Sequence, residues 1–183
     1  MLGALSKCHA FIVASVNIVK AGPERVDELE LLWKALQKHH SAVMPHVAGL
    51  VPRDLDESWR LRREKYLTLL AEPNSFAMIA QDGGHLLGYA MVRLAAGSIG
   101  YVTSATVGDV ETLSVLPEAR GAGIGTALMD AVEAQLSSLG VREIRLGVVA
   151  GNDDAIRFYE RRGLQPFAVT LLGPVADSRQ RRR

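Results

Sequence analysis

"LSVLPEARGAGIGTALMDAV", residues Leu113 to Val132, joins a short apolar run, a turn crowded with glycine and a run with helical spacing. A strand entering a helix through such small residues leaves several backbone N–H groups unpaired and aimed one way. The helix dipole adds partial positive charge there, so an anion such as a diphosphate is the natural occupant. Glycine lets the backbone approach the anion closely, and Arg120 offers a forked, charged donor. A Walker loop would require Gly-Lys-Ser/Thr at its end, whereas Gly125 is followed by Thr126-Ala127. A dinucleotide fingerprint requires G-x-G-x-x-G, whereas "GAGIGT" puts Thr126 in the last glycine slot. Only 58 residues follow Gly125, too few to complete a dinucleotide fold.

Outward from this turn, "VGDVETLSVL" reads as the strand that feeds it. The helix Gly121–Leu139 places Ile124, Leu128, Ala131, Val132, Leu136 and Leu139 on one stripe and closes at Gly140. "VREIRLGVV" reads as a strand, and "NDDAIRFYERRG" as a short helix capped by Asn152 or Asp153 and stopped by Gly163. "QPFAVTLL" is expected to end the sheet. On the other side, "SFAMIAQ" and "HLLGYAMVRLA" form a hairpin through Asp82-Gly83-Gly84. "FIVASVNIVKAG" reads as the first strand. Two helices follow it: one has Val26, Leu29, Trp33 and Leu36 on a single face, and one from about Asp56 carries Trp59, Tyr66, Leu67 and Leu70. The order β-α-α-β-β-β-α-β-α-β predicts a mixed sheet with helices on its faces.

The 183 residues fit one domain with a core of its own. The formal charge is +1, but Arg179, Arg181, Arg182 and Arg183 crowd the last five positions. Without them 17 basic residues face 20 acidic ones, a net −3. That is no footprint for a nucleic-acid partner, and none is expected. The lone Cys8 excludes an intrachain disulfide and a cysteine-rich metal site. No apolar run approaches the roughly 20 residues of a membrane helix, so no membrane partner and a cytoplasmic location are expected. The expected organisation is a leader with the start of the first strand over 1–16, one domain over 17–173, and a flexible basic tail over 174–183.

Arg120-x-x-Gly123-x-Gly125 after "LSVLPEA" resembles the acyl-CoA diphosphate loop of the GNAT superfamily of N-acetyltransferases. About 26 residues after Gly125, "GNDDAIRFYERRGL" resembles the same family's second motif, Asn-x-x-Ala-x-x-x-Tyr followed by a glycine. The resemblance covers Asn17 to about Leu172 and is weakest through the first two helices and "AAGSIGYVTSATVGD". It implies an α/β (α+β) fold: a mixed, mostly antiparallel twisted sheet of six to seven strands flanked by about four helices. It also implies acetyl-CoA as co-substrate, with no metal, and direct attack of a primary amine on the thioester. A small-molecule amine is the expected acceptor, a peptide or protein N-terminus or lysine the alternative. An idle acyl-CoA sensor is a further alternative, and a homodimer follows from family habit alone.

The family also implies roles. The strand holding Leu113, Ser114 and Val115 splays from its parallel neighbour and offers backbone groups to the pantetheine arm, with the Val115 N–H toward the thioester carbonyl. Backbone groups of Arg120, Gly121, Ala122, Gly123, Ile124, Gly125 and Thr126 hold the diphosphate. Asn152 caps its helix and contacts the cofactor. Tyr159 protonates the leaving sulfur; a phenol of pKa about 10 enters in the right form. Phe158 is expected inward and Tyr159 toward the cofactor. An acceptor ammonium of pKa about 10.4 is neutral in about one molecule per thousand at pH 7, so a base is useful. Glu111 and Asp109 are the candidates, beside a mechanism with no protein base. Plain strand alternation would put Asp109, Glu111, Leu113 and Val115 on one face, with Val110, Thr112 and Ser114 on the other. His39, His40 and His46, in a Pro/Gly-rich stretch, lack a carboxylate or cysteine at ligand spacing and read mainly as solvated loop residues. Arg60, Arg62 and Arg63 with Glu64 read as an exposed helix face.

Overall fold

The computed structural model describes residues 16–44, 47, 50–173 and 175. The expectations for Cys8, His46, the leader and most of the basic tail fall outside that range. Five strands form one sheet in the order β1 (Asn17–Ala21), β2 (Phe76–Asp82), β3 (His85–Ala96), β4 (Thr106–Val115) and β5 (Ile144–Leu146). The first four pair antiparallel, and β4 with β5 is parallel.

Both faces of the sheet are covered, which is why Phe76 to Ala80 is an unbroken apolar run, buried throughout. Alternation sorts that run. Ala77 and Ile79, with Tyr89 and Met91 of β3, pack under α1 (Glu30–Val43) and α2 (Leu55–Leu70). Phe76, Met78 and Ala80, with Ala90 and Val92, pack under α3 (Ile124–Ser138). Val26, Leu29, Trp33 and Leu36 are all buried, as their spacing predicts, although a 3₁₀ turn over Pro23–Leu29 precedes α1. Asp54 caps α2 by accepting from the Asp56 and Glu57 N–H groups at 2.9 and 3.1 Å, a device worth about 1 kcal/mol. The β2–β3 turn has Gly83 and Gly84 at φ 54° and 87°, as a two-residue hairpin of right-handed twist requires.

Three expectations need correction. The described sheet has five strands, not six or seven. "VREIRLGVV" contributes only Ile144–Leu146, and residues 165–172 of the expected last strand run without ladder bonds. Phe167, Val169 and Leu171 in that segment are exposed, so no layer covers it to reward pairing. Second, α3 starts at Ile124 rather than Gly121, because Gly121 and Gly123 hold left-handed conformations that no helix accepts. Third, His39 and His40 are half-buried in the last turns of α1 rather than solvated.

Candidate active site

Beyond β4 the chain closes with the Leu116 N–H donating to the Leu87 carbonyl at 2.9 Å, then makes a 3₁₀ turn over Pro117–Ala119. Gly121 and Gly123 follow at φ 79° and 80°. A Cβ on either would meet nothing within 4 Å, so glycine is required there by conformation and not by crowding. Gly123 accepts the Ala127 N–H at 3.0 Å and opens α3 with no side-chain cap. The first N–H groups of α3 therefore point from an open bend, the arrangement that attracts an anion.

Beside the bend, β4 is paired on one side only. Its contact with β5 stops at Gly108, Asp109 and Val110, opposite Ile144, Arg145 and Leu146. Because Leu116 donates toward β3, alternation turns the N–H and C=O groups of Leu113 and Val115 the other way, where β5 has ended. The Val115 carbonyl accepts from Arg120 Nε at 3.3 Å. The N–H groups of Leu113 and Val115 share that free edge.

A β-bulge decides which side chains flank this edge. Thr112 pairs with Met91 and Val110 with Val92, so Glu111 is the extra residue of β4. The bulge breaks the expected alternation. Val110, Leu113 and Val115 pack on the α3 side. Asp109, Glu111, Thr112 and Ser114 reach partners on the side of α1 and α2: Asp109 pairs with Arg93, Glu111 with Arg62 and Lys65, Thr112 with Tyr66, and Ser114 with the Leu32 carbonyl. Both acids thus lie across the sheet from Leu113 and Val115.

The two acids differ in setting. Asp109 Oδ2 accepts from Arg93 at 3.0 Å and Arg145 at 3.1 Å, in the stretch where β4 is flanked by strands on both sides. Glu111 Oε1 accepts from Arg62 Nη1 at 2.7 Å and from Lys65; no bond to Oε2 occurs among the described residues. Arg62 is not the exposed residue its neighbours suggest. Its side chain is only 21% exposed, and its guanidinium lies 3.9 Å from the Trp33 ring centroid, a contact worth roughly 0.5–2 kcal/mol. Arg60 with Glu64 and Arg63 with Asp27 are surface pairs, as expected. The missed signal was positional: Trp59, Arg62, Tyr66 and Leu69 lie three and four apart, so Arg62 interrupts an apolar stripe.

Beneath Glu111, Tyr66 Oη lies 2.6 Å from Thr112 Oγ1 and 2.9 Å from Tyr89 Oη. Burial pushes the Tyr66 phenol up to about 12 and Tyr89 well above its ordinary value, so both remain protonated donors. His40 continues the Leu32–Leu36 stripe of α1. Burial, then the positive charges of His39, Arg62 and Arg120, hold its imidazole below the ordinary value.

Helix α4 (Asp153–Arg161) flanks the bend on the far side. Asn152 caps it, accepting from the Ala155 N–H at 3.3 Å, and Gly163 ends it at φ 87°. Arg162 ties its end to α3 through Asp130 and Glu133 at 2.7 and 2.8 Å. Phe158 and Tyr159 are both half-buried, with ring centroids 5.1 Å apart. The Phe158 ring tip approaches the bend: a Cβ on Gly125 would stand 3.7 Å from it and 3.9 Å from Val115. Burial alone pushes the Tyr159 phenol up to about 12.

The profile of the Acetyltransferase (GNAT) family matches residues 33–164. A mycothiol acetyltransferase of Thermobispora bispora is 30% identical over 143 residues, 78% of this chain and 45% of that protein. One from Geodermatophilus obscurus is 37% identical over 101 residues, 55% of this chain and 32% of the relative. The chain thus spans less than half the length of these curated relatives. Among solved structures, a GCN5-related N-acetyltransferase from Ralstonia eutropha superposes with a TM-score of 0.69 at 19% identity, covering 89% of this chain and all of that one. An aminoglycoside N-acetyltransferase in complex with CoA superposes with a TM-score of 0.62 at 18% identity, covering 88% and 95%.

Proposed function

The chain belongs to the GNAT family of acetyltransferases, and from that premise we propose that it transfers an acetyl group from acetyl-CoA to the primary amine of a small molecule. One observation carries the proposal: the uncapped N–H groups of the bend from Gly121 to Thr126 lie next to the free Leu113–Val115 edge of β4. A diphosphate suits the first and the amide-bearing pantetheine arm the second. The relatives named for mycothiol and aminoglycosides support a small-molecule acceptor.

In this reading acetyl-CoA supplies the activated acyl group, and the chain's residues do the rest. Amides of Gly121, Ala122, Gly123, Ile124, Gly125 and Thr126 bind the diphosphate, and Arg120, whose N–H is spent on the Pro117 carbonyl at 3.3 Å, contributes through its guanidinium. Leu113 and Val115 pair with the pantetheine arm, and the Val115 N–H donates to the thioester oxygen as the amine nitrogen attacks. Glu111, through its free Oε2, collects the amine proton directly or through water. Asp109 is the weaker base candidate, since two arginines hold it within the paired part of the sheet. Tyr159 gives its proton to the sulfur as the carbon–sulfur bond breaks, so atoms and charge balance without an acyl-enzyme. Asn152 holds the start of α4 beside the bend.

The test is calorimetric titration of the full chain with CoA, paired with thiol release from acetyl-CoA over a panel of amines. Saturable binding is expected, with Gly123→Asp weakening it at least about tenfold, because a carboxylate would face the anion from a strained φ. An absence of heat with the parent chain, or a Gly123→Asp variant that binds as well, overturns the proposal. Binding without thiol release for any amine would make the chain an acyl-CoA sensor instead.

A further inference from the structure

We infer that the cavity between α1 and α2 receives a carboxylate of the acceptor, so that the amine acetylated belongs to a small amino-carboxylate rather than to a polyamine. The inference rests on the transferase reading above and names its substrate class. The cavity measures about 280 Å³ and is lined by Trp33 and Gln37 from α1, Arg53 before α2, and Ser58, Arg62 and Lys65 on α2. Among the described residues no acidic side chain lines it. Its three cations are held from outside by two carboxylates: Glu57 pairs with Arg53 at 2.9 Å, and Glu111 takes both Arg62 and Lys65. One positive charge is left over. Each arginine commits one terminal nitrogen, Nη1, to its partner, which leaves further N–H donors of the fork for a second anion.

Position matters as much as charge. Arg62 and Lys65 line the cavity and also hold Glu111, so a carboxylate bound there carries its amine beside the proposed base. Trp33 fixes the Arg62 plane from below and spends its own N–H on Ser58 Oγ at 3.2 Å, which leaves the Ser58 hydroxyl proton to donate elsewhere. A polyamine or aminoglycoside would bring several ammonium groups to the same three cations, and like charge repels it.

The experiment compares kcat/KM, by thiol release, for ω-amino carboxylates, n-alkylamines of equal chain length, and a polyamine. The carboxylates are expected to lead the alkylamines by about tenfold or more, the value of one partly exposed charge-assisted contact. Arg53→Glu is expected to raise KM for the carboxylates by about tenfold, a larger change than it makes in alkylamine turnover, with CoA affinity unchanged. Arg53→Gln gives a smaller change in the same direction and controls for folding. Polyamines or alkylamines preferred over carboxylates, or a carboxylate KM indifferent to both variants, overturn the assignment and leave the transferase reading standing. An absence of thiol release above the amine-free background with every amine overturns both.

Discussion

The proton on Tyr159 is held by burial, and this makes its role testable. With its pKa near 12, the phenol keeps its proton through the whole working range, so a kcat–pH profile should show no alkaline limb from this group below about pH 11. Tyr159→Phe should lower kcat by about a hundredfold or more while CoA affinity stays within about twofold. An unchanged kcat would remove Tyr159 from the chemistry. Tyr66 and Tyr159 both have folded values above the ordinary 10, so their contribution to stability is complete below pH 10 and is lost as pH climbs toward 12. His40 has the opposite sign. Its imidazole is depressed in the fold, so its contribution is present above the ordinary value and lost as pH falls below about 6.5. Urea unfolding between pH 5 and 7 should therefore depend on pH less steeply in His40→Gln.

At the scale of elements, the contact between β3 and β4 governs the free edge. A Cβ on Gly88 would come within 2.6 Å of the Ser114 carbonyl, a backbone atom that cannot swing aside. Gly88→Ala is expected to cost about 1–3 kcal/mol and to weaken CoA binding, because Val115 is the residue opposite Gly88. A melting curve and a CoA titration equal to those of the parent would contradict this. The elements themselves were largely legible. The glycine bend, the α3 stripe, the Gly83–Gly84 hairpin and the Asn152 cap all follow from local chemistry visible in sequence. The bulge at Glu111 was not, because no glycine or proline marks it; it exists only against the register of β3. Nor was Arg62, whose partners Trp33 and Glu111 are distant in sequence. The strand expected over 165–172 has the right residues for a ladder, yet it pairs with no described strand although β5 has only β4 beside it.

Across the whole molecule, protection should follow coverage. Amides of β2 and β3, enclosed between two apolar layers, should exchange slowest. Those over residues 165–172, exposed and outside any ladder, should exchange within seconds. Comparable protection in both regions, measured by hydrogen exchange, would mean that the last segment pairs in solution. None of the helices described is long and apolar enough to cross a membrane. The phase slip at Glu111 has a wider effect. Alternate residues that share a side before it part company after it, so a substitution at Val110 or Leu113 alters the packing under α3 while Asp109 and Glu111 keep their cationic partners. Under the proposed function, a change of acceptor preference can accumulate on one surface without disturbing coenzyme binding, whereas deleting Glu111 would turn the segment beyond it over and is expected to abolish both.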